Sequence, residues 1–170
     1  MHDVLPADPV EPAAFRKLMG QFATGVCVVA APRGGGGVSG ITVNSFVSVS
    51  LDPMLVCWSI QNQSSQFDFW AQAPGFTISI LNEDQGSLAR RYAARGDTES
   101  SDDDFIQSAS GLPVVSDAIG HLECRQWSLY PVGDHTMVFG EVVGMSAVDG
   151  GRPLGFFGGA FCRISDSYGS

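Results

Sequence analysis

IGHLECRQWSLY (residues 119–130), PVGD (131–134) and HTMVFGEVVGMSAV (135–148) decide the fold. Two segments rich in β-branched and aromatic residues flank Pro, Gly and Asp, and both are long enough to pair as antiparallel strands across that turn. Working outward, Val26-Cys27-Val28-Val29 reads as a buried strand, Gly34 to Gly37 as a hairpin tip, and Val38 to Val43 as the returning strand. Leu51-Asp52-Pro53 is a turn before a strand from Met54 to Ile60; further strands are expected over Phe76 to Leu81 and Phe156 to Ile164.

Helices are few. Phe15, Leu18, Met19 and Phe22 recur at helical spacing, so residues 11–23 are expected to form a helix entered through Pro12 and ended near Gly25, its apolar stripe covering a sheet. Phe67 to Trp70 forms a short helical stretch. Asn82 is expected to cap a third helix, with Gln85 completing a capping box, Leu88, Ala89 and Tyr92 on its apolar side, and Gly96 at its end. About seven short strands with so few helices indicate a mainly β, α+β chain closing as a small closed or split β-barrel; a parallel α/β sheet would need a helix between most strand pairs.

At 170 residues and 44% hydrophobic content, the chain fits one domain, expected over residues 11–164 with tails at 1–10 and 165–170. Cys27, Cys57, Cys124 and Cys162 are too far apart for a metal-ligand motif, so no metal site is expected. Cys27 and Cys57 sit in apolar stretches, and Met1-His2-Asp3 does not open a signal segment, which together indicate a reduced, cytoplasmic protein. No apolar run approaches the roughly 20 residues of a membrane span. A net charge of -9 without a basic stripe opposes nucleic-acid binding. The acids between Asp97 and Asp104 read as a solvated loop. Gly34 to Gly37 is followed by Val38-Ser39-Gly40, lacking the Lys-Ser/Thr of a phosphate loop, and no Gly-x-Gly-x-x-Gly links a strand to a helix.

Chemistry concentrates in GITVNSFVSVS (40–50), where Thr42, Asn44, Ser45, Ser48 and Ser50 crowd short polar side chains into a strand. Hydroxyl, amide and backbone N–H groups at an irregular strand end suit the carbonyl and imide edge of an isoalloxazine, or a phosphate. The same groups could instead satisfy their own backbone.

FATGV (22–26), TVNSFVSVSLDP (42–53) and GDH (133–135), in this order, resemble the short-chain flavin reductase family, across about residues 11–164. Members are reductase components of two-component flavin-dependent monooxygenases. The resemblance implies an FMN-binding split barrel, a homodimer with flavin near its interface, FMN or FAD as cofactor, and hydride transfer from NADH. Reduced flavin would then diffuse to a separate monooxygenase. It places Thr42, Val43, Asn44, Ser45, Ser48, Val49 and Ser50 along the flavin and Ser64 and Ser65 at its ribityl or phosphate portion. Ala89 and Arg90 follow, Arg90 as candidate phosphate cation with Arg91 as competitor. His135 falls beside the nicotinamide, where orientation is favoured over proton supply because hydride transfer needs alignment rather than an acid. His121 has no such placement and is assigned to structure.

One departure stands out. Where relatives carry an aromatic-Arg-Gly segment, this chain has Phe156-Phe157-Gly158-Gly159-Ala160-Phe161, so the usual Arg is missing, although Phe161 is placed to stack on a nicotinamide or adenine ring. NADH is expected over NADPH, since no arginine cluster awaits a 2′-phosphate. Two rivals remain: a flavoredoxin-like, flavin-binding electron carrier that does not react with NADH, and a barrel that has lost flavin and serves as a scaffold.

Overall fold

The computed structural model describes residues 9–94 and 102–165. Its dominant feature is the hairpin of β9 (Gly120–Val132) and β10 (His135–Ala147), paired antiparallel from His135 opposite Val132 to Ala147 opposite Gly120. The turn is tighter than its sequence suggested: only Gly133 and Asp134 lie between the strands, and Gly133 takes a φ of +59° that few other residues adopt cheaply. Register steps after Phe139 and after Val142 mark bulges, which bend and twist long strands.

Before the hairpin come α1 (Pro12–Met19), β1 (Thr24–Gly25), β2 (Cys27–Pro32), β3 (Val38–Val43), β4 (Val47–Leu51), β5 (Met54–Gln61), α2 (Phe67–Gln72), β6 (Gly75–Ile80), α3 (Gly86–Ala93), β7 (Phe105–Gln107) and β8 (Pro113–Val115); β11 (Leu154–Phe157) and β12 (Ala160–Arg163) follow it. Seven strands form one antiparallel sheet in the order β3-β2-β6-β9-β10-β5-β4. Its edge strands are consecutive in the chain, joined by residues 44–46 alone. Laid flat, six inter-strand steps of about 4.8 Å would separate the edges by about 29 Å. Four Cα steps from Val43 to Val47 reach at most about 15 Å. The sheet therefore curls until its edges approach, without pairing β3 to β4, which is a split barrel.

Side-chain alternation then sorts the core. On β2, Cys27, Val29 and Ala31 face the barrel interior with Trp58, Trp70, Phe76 and Val138, while Val28 faces outward into a second cluster with Leu81, Ala89, Tyr92 and Leu154. Buried on both faces, this strand had to be continuously apolar. Trp58 meets Trp70 and Phe76 edge to face at 5.4 and 5.8 Å. Gln66 Oε1 accepts from Trp70 Nε1 at 3.0 Å and from Ser39 Oγ at 3.3 Å, locking α2 to β3. Burial pushes the thiols of Cys27 and Cys124 up to about 12 and that of Cys57 up to about 11. No helix among the described residues is long and apolar enough to cross a membrane.

Four expectations need correction. The first helix stops at Met19 rather than 23, because Thr24 and Gly25 pair with Phe156 and Gly155 and must be extended. Its apolar stripe covers no sheet within the chain: Phe15, Leu18 and Phe22 remain more than half exposed. Asn82 does not cap the third helix. Its Oδ1 accepts from the Asp84 N–H and Gln85 Oε1 accepts from the Asn82 N–H, closing a turn, and α3 starts only at Gly86. The expected strand from Phe156 to Ile164 is a hairpin, turned at Gly158 and Gly159, both with positive φ. The pair β7 and β8 gave no advance signal; it is held by Thr77 Oγ1 donating to the Pro113 carbonyl at 2.5 Å and Ser79 Oγ accepting from the Val115 N–H at 3.0 Å. Gly96, most of both tails and part of the acidic loop lie outside the described residues.

Gly140 sits against tightly packed core side chains. A Cβ there would lie 2.6 Å from Phe76 Cζ and 2.9 Å from Cys124 Cβ, both buried. Gly140→Ala is expected to lower unfolding free energy by about 1–3 kcal/mol in urea titrations. Gly34→Ala, which meets nothing within 4 Å, should shift it by less than about 1 kcal/mol.

Candidate active site

β5 ends at Gln61 and β10 begins at His135, side by side at one end of the sheet, while the Val43 end of β3 lines up through β2 and β6 with Gly120. Gln61 is opposite His135 and Ser59 opposite Met137, while Ser45 Oγ accepts the Ser59 N–H at 3.0 Å and ties residues 44–46 to β5. Ser45 and the loop holding Ser64 and Ser65 thus lie near His135, whereas Ser48 and Ser50, opposite Val56 and Leu55, fall five and six residues back along β5 from Gln61.

Individual side chains divide by task. Val43 is buried in the core, and Thr42 donates its hydroxyl to the Ala89 carbonyl at 2.8 Å, fastening α3 to β3. Gly40, two residues earlier, lets α3 approach, since a Cβ there would strike the Tyr92 ring at 2.8 Å. Asn44, Ser48 and Val49 are exposed. Val49 is the extra residue of a bulge between Ser48 and Ser50, which leaves ladder groups unpaired, and Ser50 Oγ accepts from the Asp52 N–H at 3.3 Å. Ser64 Oγ accepts the Gln66 N–H at 3.3 Å at the entry to α2, and Ser65 beside it is exposed.

His135 is about one-third exposed, and its Nδ1 lies 2.7 Å from Asp134 Oδ1. This hydrogen bond holds the Asp134 carboxyl below its usual range. With Nδ1 so engaged, Nε2 is the ring nitrogen left for a ligand. Asp134 thus orients the imidazole. Asn62, which carried no sequence signal, bonds the same turn: its N–H donates to the Asp134 carbonyl at 2.9 Å. His121 is near the other end of the hairpin, eleven residues from Val132 along β9, roughly 35 Å of extended strand.

The two arginines of α3 separate cleanly. Arg91 pairs with Asp104, which also accepts from Tyr92 Oη at 2.7 Å, and that pairing raises the Arg91 pKa. Arg90 pairs with no carboxylate among the described residues; its guanidinium lies 5.6 Å from the Phe161 ring centroid. Phe161 in turn meets Phe156 at 5.5 Å and packs on the outer core cluster. Ala89 is fully buried. Exposed hydroxyls, a bulged strand, one uncommitted cation and no acid between residues 40 and 51 make a donor set suited to a flavin's carbonyl edge and phosphate.

Known proteins share this fold. The flavin reductase like domain matches residues 19–165. An FMN reductase (NADH) of Agrobacterium fabrum is 42% identical over 153 residues, covering 89% of this chain and 86% of the relative. The NADH:FAD oxidoreductase of Streptomyces globisporus, solved with NAD and FAD fragments, superposes with a TM-score of 0.84 at 33% identity, covering 94% of this chain and 98% of that one. The styrene monooxygenase flavin reductase of Pseudomonas putida gives 0.83 at 31% identity, covering 91% and 99%. With most of its length and its barrel matched, this chain belongs to the flavin reductase like domain family.

Proposed function

We propose that the chain is an NADH-dependent flavin reductase that supplies reduced FMN or FAD to a separate flavin-dependent monooxygenase. The observation that carries this reading is the tie of Ser45, within the polar run, to β5 two residues from Gln61, which lies opposite His135 and its Asp134 partner. Relatives named as NADH-dependent FMN and FAD reductases support it. A relative named as the reductase subunit of a flavin-dependent monooxygenase supports the partner.

A flavin held by these residues would supply the hydride acceptor for NADH, so the redox chemistry would belong to the two cofactors. The chain's task is to hold them in line. Asn44, Ser45, Ser48, Ser50 and the bulged backbone at Val49 present donors to the ring edge; Ser64 and Ser65 serve the ribityl or phosphate portion. Arg90, with no carboxylate to neutralise it among the described residues, takes the phosphate, while Arg91 is held by Asp104. Thr42 and Ala89 act by fixing α3, which carries Arg90. His135 turns Nε2 toward the nicotinamide carboxamide because Asp134 holds Nδ1. Phe161 backs the Arg90 guanidinium and leaves less of its ring for stacking on a nucleotide.

A homodimer belongs to the same proposal. α1 and the turn after it leave Phe15, Leu18 and Phe22 exposed, and the edge strand β4 leaves Val47, Val49 and Leu51 exposed, apolar surface of the kind a subunit contact removes from water. The four free cysteines fit a reducing, cytoplasmic setting.

Sedimentation at micromolar concentration should show a dimer; a monomer that reduces flavin at full rate would contradict it. Ser48→Ala and Ser50→Ala are each expected to weaken flavin binding by about 0.5–1.5 kcal/mol in fluorescence quenching, with unfolding little changed. Unaltered affinity in both returns the strand to a purely structural role. For His135→Ala, single-turnover reduction with NADH deuterated at the transferred position should slow and the KM for NADH rise, at constant flavin affinity. Misplacement by even 1 Å costs about 100-fold. His135→Asn should recover part of the rate if orientation dominates, and none if the imidazole supplies a proton.

A further inference from the structure

Asn62 follows β5 directly and is bonded on both sides of His135. Its N–H donates to the Asp134 carbonyl at 2.9 Å, its Nδ2 donates to the Gly133 carbonyl at 3.3 Å, and its Oδ1 accepts the Thr136 hydroxyl at 2.8 Å. Gly133 and Asp134 are the two central residues of the turn, whose carbonyls have no partner in the hairpin ladder itself. Thr136 is buried in the sheet and pairs with Ile60 two residues before Asn62, so it gives the clamp a rigid anchor.

The turn needs such an anchor. Gly133 has no Cβ, and one built there would meet nothing within 4 Å, so side-chain packing at that position does not help to hold the turn that precedes His135. An amide is a short side chain that donates and accepts at once. At position 62 it joins the carbonyl before His135 to the hydroxyl after it. An alanine would keep only the backbone bond to Asp134, and an aspartate would lose the donor to Gly133.

We propose that Asn62 is a positioning residue for hydride transfer: it clamps the turn from residues 133 to 136, so that His135 meets the nicotinamide at a set angle. The proposal rests on the role given to His135 above and extends it to a residue outside the polar run. Its consequence is a division of labour, with Asp134 fixing the rotation of the imidazole and Asn62 fixing the backbone that carries it.

A double-mutant cycle on the full-length protein tests it, with NADH single-turnover rate, KM for NADH, flavin affinity and thermal midpoint measured for each variant. Asn62→Ala is expected to lower kcat/KM for NADH on the order of 10-fold, with flavin affinity unchanged. In a His135→Ala background the same substitution should cost nothing further, because no ring remains to position. Thr136→Val, which keeps the shape and removes the donor, should reproduce part of the loss, and Thr136→Ser should restore wild-type kinetics even if Asn62→Ala fails to fold. Wild-type NADH kinetics in Asn62→Ala beside an impaired His135→Ala overturn the proposal and leave the His135 reading intact. A loss that persists in full without His135, or that appears equally in flavin affinity, also overturns it. A silent His135→Ala removes the underlying reading, and the clamp falls with it.

Discussion

The constraint on which the rest depends is the three-residue crossing from Val43 to Val47. The last residue of one sheet edge and the first of the other lie within about 15 Å because the chain between them is so short, and seven strands can meet that limit only by curling. Curling creates the enclosed interior that Trp58, Trp70 and Phe76 fill. It also leaves β3 and β4 unpaired with each other at the split, so residues 44–46 pass between two edges with no continuous ladder to absorb their polar groups. The segment with the greatest need of hydrogen-bond partners is thereby the one presented at the rim.

Packing around the split is arranged so that this rim is firm. Thr42 and Gly40 hold α3 against β3 from one side, one by a hydrogen bond and the other by having no Cβ; Gln66 ties α2 to β3 through Ser39 and Trp70. On the far side, bulges in β9 and β10 let thirteen-residue strands bend around the core, and Gly140 fits there because Phe76 and Cys124 leave no space for a methyl group. A site held by helices on one side and a long hairpin on the other can keep two planar rings aligned without gripping either through many charges.

Electrostatics follow the same economy. The chain carries a formal charge of -9, and at physiological salt such a field is screened within about 8 Å, so an anionic cofactor responds to the groups next to it. Asp104 occupies Arg91 and Tyr92, and Asp134 orients His135, which leaves Arg90 as the cation of α3 that no carboxylate among the described residues neutralises. Arg90 lies over Phe161, in the segment from Phe156 to Phe161 where the resemblance leads one to expect an arginine.

Read alone, the sequence determined the β-rich class, the hairpin over residues 119–148, the polar run at 42–50 and His135 after its turn, since each is a local matter: side-chain period, turn chemistry, or a short motif within one segment. Only the tertiary structure decided the rest. The first helix is cut short by pairing between Thr24 and Phe156, partners 132 residues apart, which local periodicity does not register. Asn82 and Gln85 form the bonds their spacing allows, yet these close a turn rather than a helix cap, because Asn82 is also held by a bridge to Pro153. Arg90 and Arg91 are adjacent and chemically alike; what separates them is the side on which Asp104 lies. Asn62 reaches Thr136 across 74 residues and shows its meaning only when β5 and β10 are laid side by side. Local propensity depends on neighbours a few residues away, whereas these choices depend on groups that become neighbours only after the barrel closes.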